Sequence, residues 1–220
     1  MTAADVERFD RDGALAEARG GLSRAGFLAA AGTGVVLALA PDARAAGLSK
    51  NDVSVLNYAL SLEYLQAAFY TESERSKAIK GRAAQAAVQV GAVERAHVKA
   101  FRELLGSKAI ARPRFDFKGV TEDPKAFLKT AVAFEDLAVE AYKGQAPRLQ
   151  SKQVLAAALG IHTVEARHAA WMRYLNGIQP AAGAFDDPRP KSEIDRIVRS
   201  TGFVSARPKM AAERSPRFTG

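Results

Sequence analysis

The sequence predicts an all-α protein, a four-helix bundle followed by a mostly irregular C-terminal extension with one short helix. Three observations favour this fold class. From Ser49 to Gly177 the chain is rich in alanine and other helix-forming residues and has few helix breakers. Apolar residues recur at three- and four-residue spacing in four long segments. The alternating pattern of a half-buried strand is missing from this region, so we do not expect a β-sheet.

The segment in front of the bundle, residues 1–45, has the features of an export signal. A polar head is followed by Ser-Arg-Ala-Gly-Phe-Leu at residues 23–28, a short apolar stretch, and Ala-Arg-Ala at residues 43–45. The first of these motifs resembles the twin-arginine export signal, with Ala25 at the position of the second arginine. We therefore expect export to the periplasm, the cell envelope or the extracellular space. The alternative is a cytoplasmic or signal-anchored protein.

The bundle is assigned to residues 46–177. The predicted helices cover about 50–77, 82–105, 124–143 and 151–176. Either Ser49 or Asn51 can cap the first helix, and Asp123 can cap the third. Pro124 suits the first position of a helix, and Gly106 is typical of a helix end. The remaining residues, 178–220, are rich in proline, glycine and basic side chains. There we expect a solvated extension with one helix at about residues 192–200.

Composition limits the available chemistry. The 220 residues include 32 Lys and Arg, 24 Asp and Glu, three His and no Cys. The lack of cysteine excludes disulfides, thiolate zinc sites, iron–sulfur clusters and cysteine nucleophiles. The net charge of +8 is compatible with an anionic partner, but no recognition motif accompanies it. We expect no nucleic-acid partner and no membrane span in the mature chain.

Each predicted helix has a glutamate at a position where the spacing of its apolar residues predicts a hydrophobic side chain. The four are Glu63, Glu94, Glu135 and Glu165. A buried carboxylate is costly unless it is paired or binds a metal, and four together would repel one another without a cation. Two of the three histidines, His97 and His168, each follow one of these glutamates by three residues. Each Glu-x-x-His pair therefore shares one helical face.

The two halves of the bundle repeat each other. Residues 60–70 (LSLEYLQAAFY) align with residues 132–142 (VAFEDLAVEAY), and residues 91–101 (GAVERAHVKAF) align with residues 162–172 (HTVEARHAAWM). Two such hairpins, packed with approximate twofold symmetry, bring the six side chains around one cavity. This set of side chains is the ligand set of a dinuclear carboxylate site in a four-helix bundle.

With all six positions present, residues 50–177 resemble the ferritin-like superfamily, which includes bacterioferritins, rubrerythrins and manganese catalases. The export-like segment and the C-terminal sequence AGAFDDP are similar to exported bacterial ferritin-like domain proteins, relatives of plant desiccation-associated proteins. The resemblance implies an antiparallel bundle whose long crossover is the 106–123 linker. It also implies terminal metal ligands at Glu63 and Glu135, bridging ligands at Glu94 and Glu165, and one histidine on each metal.

The expected cofactor is a pair of metal ions, because carboxylate and imidazole ligands suit iron, manganese or zinc. We expect iron and a site that oxidises Fe(II) or reduces peroxide, with dioxygen or peroxide as the partner molecule, in protection of the cell envelope. Two alternatives stay open: a dimanganese site with catalase-like activity, and a non-enzymatic stress or envelope scaffold with a structural or vestigial metal. A homodimer is compatible with the sequence.

Four further residues lie near the six ligand positions in the sequence. Tyr70 and Tyr142 follow their glutamates by two turns, so they either hydrogen-bond to the site or pack as core aromatics. Glu140 is an alternative to Glu135 as a ligand, but it is out of register with the repeat. His162 precedes a glutamate by one turn, and we expect it at the periphery of the site rather than as a ligand.

Overall fold

The structure is a computed structural model that describes residues 47–181 and 183–205. The predicted export signal and residues 206–220 lie outside the described residues. The described part contains five α-helices and so confirms the all-α prediction. The helices are α1 (Lys50–Ser76), α2 (Gly81–Leu105), α3 (Pro124–Gln145), α4 (Lys152–Leu175) and α5 (Lys191–Thr201). None of them is long and apolar enough to cross a lipid bilayer.

Side-chain caps explain where three of the four long helices begin. The side chain of Ser49 accepts the backbone N–H of Asp52 at 3.0 Å, at the start of α1. Asp123 and Ser151 do the same for α3 and α4, each accepting the N–H three residues further on. Helix α2 ends at Leu105 and is followed by Gly106, whose φ of 54° favours glycine. The predicted helix starts and this helix end are confirmed.

The four long helices form two hairpins, α1 with α2 and α3 with α4. The hairpins face each other, because α1 also contacts α3 and α2 also contacts α4. The buried carboxylate of Asp52, at the start of α1, accepts the N–H of Gln150 at 2.8 Å and of Ser151 at 3.3 Å, just after α3 ends. Helices α1 and α3 are therefore antiparallel. The segment between α2 and α3 makes the long crossover.

Two apolar clusters fill most of the bundle. One, toward the start of α1, contains Leu60, Phe101 and Ile161. The other, toward the end of α1, is dominated by aromatic rings, among them Phe69 and Phe127, which stack with their centroids 5.1 Å apart. The glutamate of α1 lies where the two clusters meet along this helix. Apolar layers on both sides therefore separate this part of the bundle from water.

The short helix predicted at about residues 192–200 is confirmed as α5, but the C-terminal segment is less solvated than the sequence predicts. Ile194 of α5 is fully buried against α1 and α3, and Phe203 packs on Phe117 with the ring centroids 5.4 Å apart. Strand β1 (Arg114–Phe115) in the crossover pairs antiparallel with strand β2 (Val204–Ser205). The expectation of no sheet is wrong here because two-residue strands are too short to show an alternating pattern. The C-terminal segment thus holds the crossover against the bundle.

Candidate metal centre

Six polar side chains meet inside the bundle, and all four long helices contribute to them. The residues are Glu63 from α1, Glu94 and His97 from α2, Glu135 from α3, and Glu165 and His168 from α4. The four glutamates are completely buried, and the two histidines are 5% and 7% exposed. The structure therefore brings together all six residues that interrupt the apolar stripes of the sequence.

His97 is the centre of the first group of four side chains. Its Nδ1 lies 3.2 Å from Glu63 Oε2, 3.4 Å from Glu94 Oε2 and 3.1 Å from Glu165 Oε1. One ligand atom from each of these four residues lies within 4.8 Å of the others. Three carboxylates and one imidazole of this spacing could bind a metal ion.

His168 is the centre of the second group. Its Nδ1 lies 2.9 Å from Glu94 Oε1, 3.6 Å from Glu135 Oε2 and 3.8 Å from Glu165 Oε2. Glu94 and Glu165 belong to both groups. Each of them turns one carboxylate oxygen toward His97 and the other toward His168. This is the arrangement that a carboxylate needs in order to bridge two metal ions.

The two tyrosines bind the glutamates of the opposite half of the bundle. Tyr70 of α1 donates its hydroxyl hydrogen bond to Glu135 Oε1 of α3, and Tyr142 of α3 donates to Glu63 Oε1 of α1. Burial, together with the adjacent carboxylate, raises the pKa of both hydroxyls well above the usual value. Both therefore stay protonated and act as donors. Each orients a glutamate whose second oxygen faces the histidine of its own group.

Several polar atoms of the cluster are buried without a hydrogen-bond partner. They are both carboxylate oxygens of Glu94 and of Glu165, Oε2 of Glu135 and Nδ1 of His168. The 2.9 Å contact between His168 and Glu94 lacks the alignment of a hydrogen bond. An unsatisfied buried polar group costs about 1–3 kcal/mol, and native proteins contain few of them. These oxygen and nitrogen atoms are of the kind that coordinates metal ions, and metal binding would satisfy all of them together.

Burial and the contacts between the six side chains together set the electrostatics of the cluster. It raises the pKa of Glu63 and of Glu135 above the carboxyl range, and the other glutamates add to the rise. Burial also acts to raise the pKa of Glu94, but contacts with His168 and His97 outweigh it and hold this pKa below its usual range. Burial acts to lower the pKa of each histidine, yet the carboxylates hold both well above the imidazole value. The cluster therefore attracts positive charge, as protons or as metal cations.

Glu140, the alternative ligand, and His162, expected at the periphery, lie outside the two groups of four. Glu140 accepts two hydrogen bonds from Arg189, at 2.5 Å from Nε and 2.9 Å from Nη2. His162 is half-buried, and burial lowers the pKa of its imidazole. Within the described part of the chain, neither group of four includes a residue that the sequence had not singled out.

Fold and site together define a class: an all-helical bundle whose buried glutamates and histidines could bind metal ions. The family model for the ferritin-like domain matches residues 51–177. The chain belongs to this ferritin-like family, and the matched range includes all six residues of the cluster. A comparison with curated proteins finds no significant match.

Proposed function

We propose that the six residues hold two metal ions, that the metal is iron, and that the protein oxidises Fe(II) or reduces peroxide. The observation that carries the proposal is the sharing of Glu94 and Glu165 between two groups of four ligands. A mononuclear site would need only one such group. Four carboxylates also match the charge of two divalent cations, which makes a neutral buried site and removes the repulsion between the glutamates.

Each residue has a role in this proposal. Glu63 and His97 complete one metal position, and Glu135 and His168 complete the other. When bound, the two ions would supply the capacity to exchange electrons with dioxygen or peroxide. Tyr70 and Tyr142 hold the outer glutamates in place, and hydrogen-bonded neighbours of this kind strengthen metal binding. The apolar clusters on either side keep bulk water away.

Iron is the metal that we propose because the donor set is hard and rich in oxygen. Carboxylates and imidazoles suit iron and manganese, and the chain has no cysteine to favour softer ions. In the peroxide reaction, bound iron would supply two electrons, which together with two protons reduce one peroxide molecule to two water molecules. Dioxygen is the other oxidant that the proposal admits.

The proposed place of action is outside the cytoplasm, as part of protection against oxidative damage at the cell envelope. Support comes from the twin-arginine-like motif at residues 23–28 and the small residues at 43–45. Residues 1–45 fused to a reporter that is active only after export provide the test. We expect reporter activity, and a reporter that stays inactive in the cytoplasm contradicts export.

The test of the chemistry is stopped-flow oxidation of Fe(II) by the purified full chain. Anaerobic protein with two equivalents of Fe(II) is mixed with dioxygen or with peroxide, and the formation of Fe(III) is followed. We expect oxidation faster than that of iron in buffer. Glu94→Ala should oxidise iron at the buffer rate, whereas Glu74→Ala, which removes a surface partner of Arg95, should match the wild type. A Glu94→Ala variant as fast as the wild type would refute catalysis at this cluster.

A further inference from the structure

An apolar cavity lies beside one half of the cluster and reaches Tyr142, whose hydroxyl donates to Glu63. Two other wall residues adjoin ligands of the same half. Leu62 precedes Glu63 in α1, and Phe101 follows His97 by one helical turn in α2. Tyr142 is therefore the wall residue that connects the cavity with the group centred on His97.

The opposite side of the cavity lies toward the protein surface. The wall residues there are only half-buried, unlike Leu62 and Tyr142, which are buried. They are Ala59, Ala146, Leu149 and Ala158. The cavity thus lies between the surface of the bundle and the Glu63 side of the cluster.

Size limits the occupant to one small molecule. The cavity has about 20 Å³ of room for the centre of a water-sized molecule, and one water needs about 10–15 Å³ on this measure. A peptide, a lipid chain or an aromatic metabolite does not fit. A diatomic molecule does.

Polarity disfavours water and hydrogen peroxide. A buried water needs two to four polar partners, and the cavity wall is almost entirely aliphatic and aromatic. The Tyr142 hydroxyl is already bound to Glu63, and the side-chain oxygen of Gln145 accepts from Arg148 at 2.8 Å. The Tyr58 hydroxyl is the one side-chain group of the wall that is buried without a partner. Almost none of the cavity surface is polar, so a water molecule lacks the partners that it needs and the cavity suits an apolar diatomic molecule.

The internal repeat explains why this half of the bundle contains the cavity. In the aligned segments 60–70 and 132–142, Phe69 corresponds to Ala141, and Ala141 lines the cavity. In the other half, the Phe69 ring packs on Tyr70 with the centroids 5.3 Å apart, and Phe127 packs on Tyr70 at 6.1 Å. The two halves therefore present matching ligands but different surroundings: aromatic rings around one tyrosine and a cavity beside the other.

We propose that this cavity is a binding site for dioxygen and that it delivers dioxygen to the Glu63–His97 side of the cluster. The delivery rests on the proposed function, whereas the binding site does not. The cavity should discriminate between dioxygen and peroxide, the two oxidants that the proposed function admits. Dioxygen, being apolar, gains from an apolar cavity, and peroxide must give up hydrogen bonds with water to enter it.

Xenon is the first probe, because it is apolar, of similar size, and independent of iron chemistry. The metal-free full chain is titrated with xenon under pressure, and binding is followed by xenon NMR. We expect saturable binding that Ala158→Leu abolishes, since the larger side chain fills the cavity. Ala156→Leu, an exposed position on the same helix that is not part of the wall, should bind xenon as the wild type does. Absence of saturable binding in the wild type, or equal binding by Ala158→Leu, overturns the proposal.

The second readout is the rate of iron oxidation against the concentration of each oxidant. Ala158→Leu should raise the apparent KM for dioxygen several-fold and leave the peroxide-driven rate unchanged. An equal effect on both oxidants, or none on dioxygen, contradicts delivery through the cavity. Ala59→Leu fills the same cavity from α1 and replaces Ala158→Leu if that variant does not fold. A wild-type protein that binds xenon but does not oxidise iron contradicts the proposed function. It does not contradict the proposal that the cavity binds dioxygen.

Discussion

Removing a shared glutamate should cost twice as much metal-linked stability as removing an unshared one. Glu94 belongs to both groups of ligands, and Glu63 to one. Glu94→Gln therefore weakens both metal positions, whereas Glu63→Gln leaves the group centred on His168 complete. Glutamine has nearly the size of glutamate, so both variants keep the packing of the core and remove one negative charge.

The magnitude follows from the linkage between binding and folding. A ligand at 100 times its Kd stabilises the folded state by about 2.7 kcal/mol, so two ions contribute about 5 kcal/mol. For a folded region of this size, 1 kcal/mol corresponds to about 2–4 °C in Tm. Saturation with metal should therefore raise the Tm of the wild type by about 10–20 °C. The rise should be about half as large for Glu63→Gln and near zero for Glu94→Gln.

The assay is calorimetric unfolding of the full chain with and without Mn(II), which suits the same donors as iron. Glu74→Gln is the matched control, since Glu74 is a partly exposed glutamate of α1 that pairs with Arg95 at 2.8 Å. It should show the full rise of the wild type. Equal rises for Glu63→Gln and Glu94→Gln would refute the assignment of Glu94 to two metal positions.

Three other substitutions test a hydrogen bond to the site and the docking of the C-terminal segment on the bundle. Tyr142→Phe removes the hydrogen bond to Glu63 and should weaken one of the two metal positions by about 10–100-fold in a calorimetric titration. Gly144→Ala should speed hydrogen exchange in residues 189–205, because an added Cβ would collide with the backbone carbonyl of Arg189. Ile194→Ala should lower the free energy of unfolding by about 2–5 kcal/mol in denaturant titrations, since the side chain is fully buried.

Each of these variants has a control and a contradicting outcome. Unchanged affinity in Tyr142→Phe would mean that its hydroxyl does not support a metal ligand. Gly160→Ala places a Cβ in open space on α4 and should leave hydrogen exchange unchanged or slower. If Gly144→Ala also leaves hydrogen exchange unchanged or slower, the backbone of Arg189 does not approach Gly144 as closely as the structure shows. Ile197 lies one turn from Ile194 and is 36% exposed, so an equal cost for Ile197→Ala would contradict the docking of α5.

The sequence predicts the helices and the members of the cluster because both depend on local patterns. Caps such as Ser49 and Asp123 act on backbone groups three residues away. Each glutamate is conspicuous because it interrupts an apolar stripe of its own helix, and the duplicated Glu-x-x-His spacing adds a second, independent signal. The six residues could therefore be picked out before their distances were known.

Contacts between distant segments could not be predicted in this way. The tyrosines come two turns after the glutamates of their own helices, yet they bind those of the opposite half, which only the antiparallel packing of α1 and α3 reveals. The burial of Ile194 depends on a surface formed by α1 and α3, far away in the chain. The cavity beside Ala141 depends on what the neighbouring helices leave unfilled, a volume that no single segment encodes.

The most direct test of the dinuclear site is the metal content of the purified full chain. The protein is loaded anaerobically with excess Fe(II), freed of unbound metal, and analysed for metal and protein in the same sample. The sharing of Glu94 and Glu165 between two groups predicts two iron ions per chain, and none in a variant that lacks both shared glutamates. One ion or fewer per wild-type chain would contradict the dinuclear site.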